Sequence, residues 1–242
     1  MTILNGVLNL VYPPLCGICG KKSLKEGYET LSICEDCFNK IKRNLPPYCK
    51  KCGRSLRGLA DAVELCWECF GKDFYYEKAW SCLLYEGAIK EALHLLKYSK
   101  KFSLSNLFCN LLAKFVKDNP EILMEIDGVV AVPLHSVKFR EREFNQAHML
   151  ATAIVKAFNT KDLSGCLKRS IATRPQSALD KKERFDNVKG TFEATETRLV
   201  CGKNLLLVDD LFTTGATLNE CARVLKKAGA RRIHCLTFAR GV

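Results

Sequence analysis

Long apolar runs are missing from this chain of 242 residues. None approaches the roughly 18–20 residues needed to cross a bilayer, so no membrane span is expected. The segment from Thr2 to Tyr12 is apolar, but it lacks a basic flank and a small-residue cleavage site. It is read as a short packed helix rather than an export signal. Histidine is scarce, with four in all, and none has ligand spacing in the cysteine-rich part of the chain. No Ser-His-Asp or Cys-His arrangement stands out. Acidic residues are absent between positions 37 and 60.

Cysteine, by contrast, is abundant and unevenly placed. Of 14 cysteines, eight form four C-x-x-C pairs before residue 70: Cys16/Cys19, Cys34/Cys37, Cys49/Cys52 and Cys66/Cys69. Fourteen residues separate Cys19 from Cys34 and thirteen separate Cys52 from Cys66, so one unit occurs twice. This spacing suits zinc ribbons, in which the metal supplies the folding energy that a small unit lacks. Two tetrahedral Cys₄ sites are the simplest assignment; interleaved pairing, a single zinc and a disulfide framework are the alternatives. With all ligands sulfur and no open position, such sites are structural. The other six cysteines sit among apolar neighbours and read as buried thiols. Free thiols of that kind point to a reducing compartment, hence the cytoplasm.

Net charge is +12, with 12 basic against 9 acidic residues in 1–78 and 26 against 17 in 79–242. Zinc-bound thiolates would bring the first segment to about −1 and leave the surplus on the second. Phosphorylated ligands or nucleic acid are natural partners of that surplus. In the acid-free stretch, Lys40, Lys42, Arg43, Lys50, Lys51, Arg54 and Arg57 lie near Phe38 and Tyr48. Cations with aromatics suit single-stranded nucleic acid. The alternative is a solvated ribbon surface with both rings packed around the metals.

From residue 79 the pattern alternates. Ala79 to Tyr85 reads as a strand. Ala88, Ile89, Ala92, Leu93 and Leu96 form a helical stripe, and residues 104–116 form another, ended by Asn119-Pro120. Residues 128–134 read as a buried strand that opens into Lys138, Arg140 and Arg142. A helix is expected to begin near Asn145. A last strand spans 233–238. Alternation of this kind predicts an α/β fold with a parallel sheet, its ligand crevice at the strand C-terminal ends. The domain division expected is 1–75 and 76–242.

Residues 205–218 read LLLVDDLFTTGATL. A buried strand (Leu205, Leu206, Leu207, Val208) ends in Asp209 and Asp210, and a small-residue turn then opens a helix. The first N–H groups of such a helix lack partners and form an anion cradle. Gly215 allows close backbone approach, and the threonine hydroxyls add donors.

This string resembles the phosphoribosyl pyrophosphate (PRPP) motif of type I phosphoribosyltransferases. The resemblance implies that Asp209 and Asp210 contact the ribose, with Mg²⁺, and that Thr213, Thr214, Gly215, Ala216 and Thr217 hold the 5′-phosphate. Residues 131–147 (AVPLHSVKFREREFNQA) resemble the P-x-P-L-H-x-x-R-x-x-x-R-G-F-N-Q segment of the ComF family, with Ala131, Lys138 and Glu143 departing from it. Residues 85–98, the block 168–192 and the final Phe238-Ala239-Arg240 match the same family, as do the four cysteine pairs. The resemblance spans nearly the whole chain. It implies a type I phosphoribosyltransferase parallel sheet with helices on both faces, preceded by a double zinc ribbon with two structural Zn²⁺ ions. It makes Asp209 and Asp210 the catalytic candidates. Lys97, Pro133, Leu134, His135 and Arg174 become candidates for the pyrophosphate side, and Arg169, Arg174, Gln176, Lys181, Lys182 and Arg184 candidates for a flap, Arg174 and Gln176 foremost.

Three functions follow as expectations. One is a competence protein that binds PRPP and handles single-stranded DNA during uptake. Another is an active transferase for an unknown acceptor. The last is a zinc-ribbon adaptor for a helicase or channel protein of the uptake machinery.

Overall fold

The computed structural model describes residues 15–21, 32–59, 63–171 and 180–241, with only the backbone of Lys181 and Lys182. The expected helix from Thr2 to Tyr12 lies outside them.

Four parallel strands form the central sheet: β1 (Lys78–Leu84), β2 (Gly128–Ala131), β5 (Asn204–Phe212) and β6 (Arg232–Arg240), in the order β1-β6-β5-β2. Leu205, Leu206, Leu207 and Val208 of β5 are fully buried. Each such side chain contributes roughly 1.5–3 kcal/mol, which explains why an unbroken apolar run occupies a central strand. The strand is longer than the run. It continues through both aspartates to Phe212, because β6 also continues and pairs Asp209 with Thr237 and Phe212 with Arg240.

After the short α1 (Glu35–Asn39) of the cysteine-rich segment, helix α2 (Gly87–Tyr98) and helix α3 (Ser105–Asp118) connect β1 to β2, and α5 (Gln146–Phe158) follows β2. Helices α3 and α5 pack together. Both crossovers step toward the β2 edge, since the chain after α5 bridges Val129 through Asp162. Helix α8 (Ala216–Lys227) connects β5 to β6 in the opposite direction. Right-handed crossovers therefore set it on the other face. The short α4 (Ser136–Arg142) occupies the segment read as an opening of β2 into three cations. A second, two-stranded sheet pairs β3 (Leu167–Arg169) with β4 (Phe192–Ala194); α6 (Lys181–Val188) lies between them in the chain, and the short α7 (Thr197–Val200) follows β4.

The cysteine-rich segment covers the outer edge of β1. Arg43 bridges Leu83, and the backbone N–H groups of Ala79 and Leu84 donate to Lys51 and Lys42 at 2.8 and 3.0 Å. Buried Asn44 ties the two together, its Nδ2 donating to Gly53 at 2.7 Å and to Ser81 at 3.0 Å. An edge strand left bare would invite pairing with another chain.

Candidate functional site: a cation-lined cavity beside a double cysteine centre

At the C-terminal ends of β2 and β5 lies a cavity of about 610 Å³. Its floor is Asp209 and Asp210. One wall is the start of α8, another the exit of β2, a third the last turns of α2.

The turn after β5 has a physical logic. Gly215 caps α8 at φ 79°, the left-handed region. A Cβ there would sit 2.8 Å from Phe212 Cζ. Only glycine meets both demands. The N-terminus of α8 thus faces the cavity, where Gly215, Ala216 and Thr217 line it with Thr213. Thr214 does not line it; its hydroxyl accepts from the Ala216 N–H at 3.3 Å and shapes the turn. Aligned peptide dipoles add positive potential at this end of the helix.

Opposite α8, cations converge. Lys97 forms an ion pair with Asp210 Oδ2, both side chains mostly buried. Burial alone would lower the Lys97 ammonium, but the Asp210 carboxylate outweighs it and holds it above the ordinary value. Lys138, Arg142, Arg169 and Arg184 also line the cavity. Lys138 is held low by burial and by the neighbouring Arg169 and Arg142, and burial likewise lowers Arg169. Burial, reinforced by the Asp210 charge, pushes the Asp209 carboxyl up to about 8. A cavity with five cations, an open helix N-terminus and two carboxylates suits a polyanion that also carries hydroxyl groups.

The residues expected on the pyrophosphate side divide. Lys97, Pro133 and Leu134 line the cavity. His135 stands outside the lining and caps α4, its Nδ1 accepting from the Val137 N–H at 3.3 Å. Arg174 and Gln176 lie outside the described residues. The segment 132–134 is held by Asn145, which donates to the Val132 carbonyl and accepts from Ala147 N–H, each at 3.0 Å. Glu143, where the family has glycine, takes the glycine conformation at φ 64° and pairs with Lys100. The sequence reading missed His94, Tyr98 and Tyr85 as lining. His94, Lys97 and Tyr98 follow the i, i+3, i+4 spacing of one helix face, and that spacing was the available signal.

The eight paired cysteines form two groups: Cys16, Cys19, Cys34 and Cys37, then Cys49, Cys52, Cys66 and Cys69. Pairing is sequential, not interleaved. The thiols of Cys19 and Cys34 lie 3.7 Å apart and those of Cys52 and Cys66 3.6 Å. A tetrahedron of sulfurs at 2.3 Å from zinc has edges of about 3.8 Å, whereas a disulfide needs about 2.05 Å. Backbone N–H groups point at the sulfurs, Cys19 to Cys16 Sγ at 3.5 Å and Cys66 to Cys49 Sγ at 3.4 Å, as thiolates require. The donor sets fit two structural zinc ions, and neither set leaves room for a substrate ligand. Arg240 joins this centre to the cavity: its Nη1 donates to the Cys52 carbonyl at 2.8 Å, and its guanidinium lies 5.2 Å from the Phe212 ring.

Of the seven basic residues between positions 37 and 60, three are ion-paired: Lys42 with Glu86, Lys50 with Glu64 and Arg54 with Glu68. Lys51 lies over the Tyr76 ring at 5.7 Å, and Arg57 Nε donates to the Pro46 carbonyl at 3.0 Å. Lys40 and Arg43 are exposed. Phe38 and Tyr48 are half-buried.

The double zinc ribbon domain family matches residues 7–70 and the phosphoribosyl transferase domain family residues 147–241. The chain is 29% identical over 215 residues to competence protein F of Haemophilus influenzae, covering 86% of this chain and 90% of that protein. It is 28% identical over 213 residues to competence protein ComFC of Bacillus subtilis, covering 86% and 84%. Over most of its length it is thus similar to competence proteins F and ComFC. A third relative, DNA utilization protein YhgH of Escherichia coli K12, is 27% identical over 234 residues, 96% of this chain and 99% of that protein. The fold is accordingly a phosphoribosyltransferase-type parallel sheet behind a cysteine-rich double zinc ribbon. Among the described residues no helix is long and apolar enough to cross a membrane.

Proposed function

We propose that the cavity binds PRPP with Mg²⁺ and that the protein works in natural competence, handling single-stranded DNA in the cytoplasm. One observation carries the ligand reading. The open N-terminus of α8, the two aspartates of β5 and five cations line one cavity of about 610 Å³. PRPP offers a 5-phosphate for the helix, ribose hydroxyls for Asp209 and Asp210, and a pyrophosphate for Lys97, Lys138 and the arginines. Asp209 and Asp210 would hold Mg²⁺, which would offset the negative charge of the ligand. Arg174 remains a candidate for the pyrophosphate side. The names of the relatives supply the DNA-uptake role, and the basic surplus suits a polyanionic partner. Buried unpaired thiols at Cys82, Cys166, Cys221 and Cys235 suit a reducing compartment.

The test is single-stranded DNA binding by the zinc-loaded protein across a salt series, with and without PRPP and Mg²⁺. The expected result is binding that falls steeply with salt and shifts when PRPP is present. No binding at low salt would refute direct DNA handling and would leave an adaptor for a helicase or channel protein as the better reading.

An active transferase is favoured by one further observation, the Lys97–Asp210 pair. It sets a cation against a carboxylate where a departing pyrophosphate would carry charge. Asp210→Asn should then abolish turnover of PRPP with any acceptor found.

A further inference from the structure

We propose that the single strand lies on the rim of the cavity, on a platform formed by the turn after α2 and by α4. This rests on the DNA-handling reading above and adds the place of contact.

Three contacts join the two elements into one surface. The Arg142 guanidinium lies 5.6 Å from the Tyr98 ring, Lys100 pairs with Glu143, and Phe102 meets Phe144 edge-on at 5.0 Å. Phe139 precedes Arg142 by one helical turn and so shares its face. Tyr98, Phe139 and Phe102 are 65%, 48% and 47% exposed. Single exposed rings are ordinary, whereas a cluster of them marks an interaction site.

The charge around them is basic. Residues 98–102 and 138–143 hold five Lys or Arg against two Glu, and Lys100 occupies one of those glutamates. Arg140 makes no ion pair among the described residues and is exposed. Rings between cations suit unpaired bases, because stacking needs an open base face while the phosphates take the charge. Two other surfaces fit less well. Between positions 37 and 60 the rings are half-buried and three cations are already paired. Trp67 and Phe70 are 75% and 78% exposed, but Glu64 and Glu68 and a dianionic zinc-thiolate centre stand beside them. The rim is also continuous with the cavity, since Tyr98, Arg142 and Lys138 line both. A bound ligand and a bound strand would therefore meet at this edge.

The experiment measures affinity of the full-length, zinc-loaded protein for a deoxythymidine oligomer of about 16 nucleotides over a salt series. Phe139→Ala, Arg140→Gln and the double variant are compared with Lys50→Gln/Arg54→Gln, and zinc content and melting temperature check the fold of each. Phe139→Ala should bind about tenfold more weakly, Arg140→Gln should weaken binding and lower the salt slope by about 0.7, and the double variant should lose more than about tenfold. The Lys50/Arg54 variant, which loses two ion pairs within the cysteine-rich segment, should stay within about twofold. Parent-like affinity in the rim double variant, with the parent binding well, overturns the proposal and leaves DNA handling intact. Equal affinity for a duplex of the same length overturns the stacking claim. A parent that binds no oligomer defeats the underlying reading and the proposal with it.

Discussion

Lys97, in the last turn of α2, and Asp210, on β5, form an ion pair across the floor of the cavity. Each holds the other in place before any ligand arrives. A polyanion that enters must draw Lys97 toward itself and free Asp210 for hydroxyl groups or a cation. Removing either partner leaves a mostly buried charge, at a cost of about 2 kcal/mol. Lys97→Met and Asp210→Asn should both lower the melting temperature. The double variant should recover much of the loss. A thermal double-mutant cycle reads the coupling, and additive losses would mean that the pair contributes nothing.

Asp209 gives a pH signature. Burial, with the Asp210 charge, raises its pKa from 3.8 to about 8 in the folded chain. Between those values the folded state keeps a proton that the unfolded state has lost. Stability therefore falls as pH rises through that window. Asp209→Asn has no proton to lose. Its stability relative to the parent should improve from pH 5 to pH 8.5 by more than about 1 kcal/mol. Urea unfolding at the two pH values checks this; a gap that is flat or opposite in sign removes burial as the dominant effect.

Glu143 sits at φ 64°, and its exposed ion pair with Lys100 is a weak compensation. Glu143→Gly should therefore stabilise the chain by up to about 1 kcal/mol. Glu143→Val should destabilise it by more than about 1 kcal/mol. Paired melting curves decide; equal effects would mean that the backbone at this cap relaxes freely.

Gly215 tolerates no side chain. Gly215→Ala places a methyl group 2.8 Å from Phe212 Cζ at a left-handed φ. The turn must shift, and the N–H groups of α8 turn away from the cavity. Phosphate-ligand affinity should fall by at least about tenfold, roughly the 1–2 kcal/mol of a left-handed alanine, with zinc content unchanged. Titration calorimetry and metal analysis together separate a local effect from general unfolding.

The cysteine groups predict two zinc ions per chain. Cys52→Ser should retain one and loosen the hold of Arg240 on Phe212. Zinc supplies on the order of 10 kcal/mol to such modules, so the variant should melt well below the parent. Elemental analysis that still gives two ions in Cys52→Ser would refute the assignment of Cys52 as a ligand.

Much of this architecture was legible in the residues because the physics is local. An apolar run followed by Asp209, Asp210 and a Thr/Gly turn specifies strand, cradle and helix within a few positions. The four C-x-x-C pairs announce metal sites by spacing, although their sequential pairing needed the sulfur positions. What escaped was tertiary. Helix α4 has no apolar stripe, because none of its residues is buried, and it read as an opening loop. The strand pair β3–β4 joins segments too short to show alternation. Tyr98 looked like an ordinary helix end until Arg142, over forty positions away, came to rest against its ring. Arg240 acquires its meaning only when Cys52 and Phe212 are brought to it from two other parts of the chain.

The most direct measurement is titration calorimetry of PRPP with Mg²⁺ into the zinc-loaded protein, beside Asp210→Asn and Lys97→Met. One saturable site per chain, weakened at least about tenfold by either substitution, is the expected result. No heat of binding, or equal affinity in parent and variants, would contradict the assignment of this cavity to a phosphoribosyl ligand.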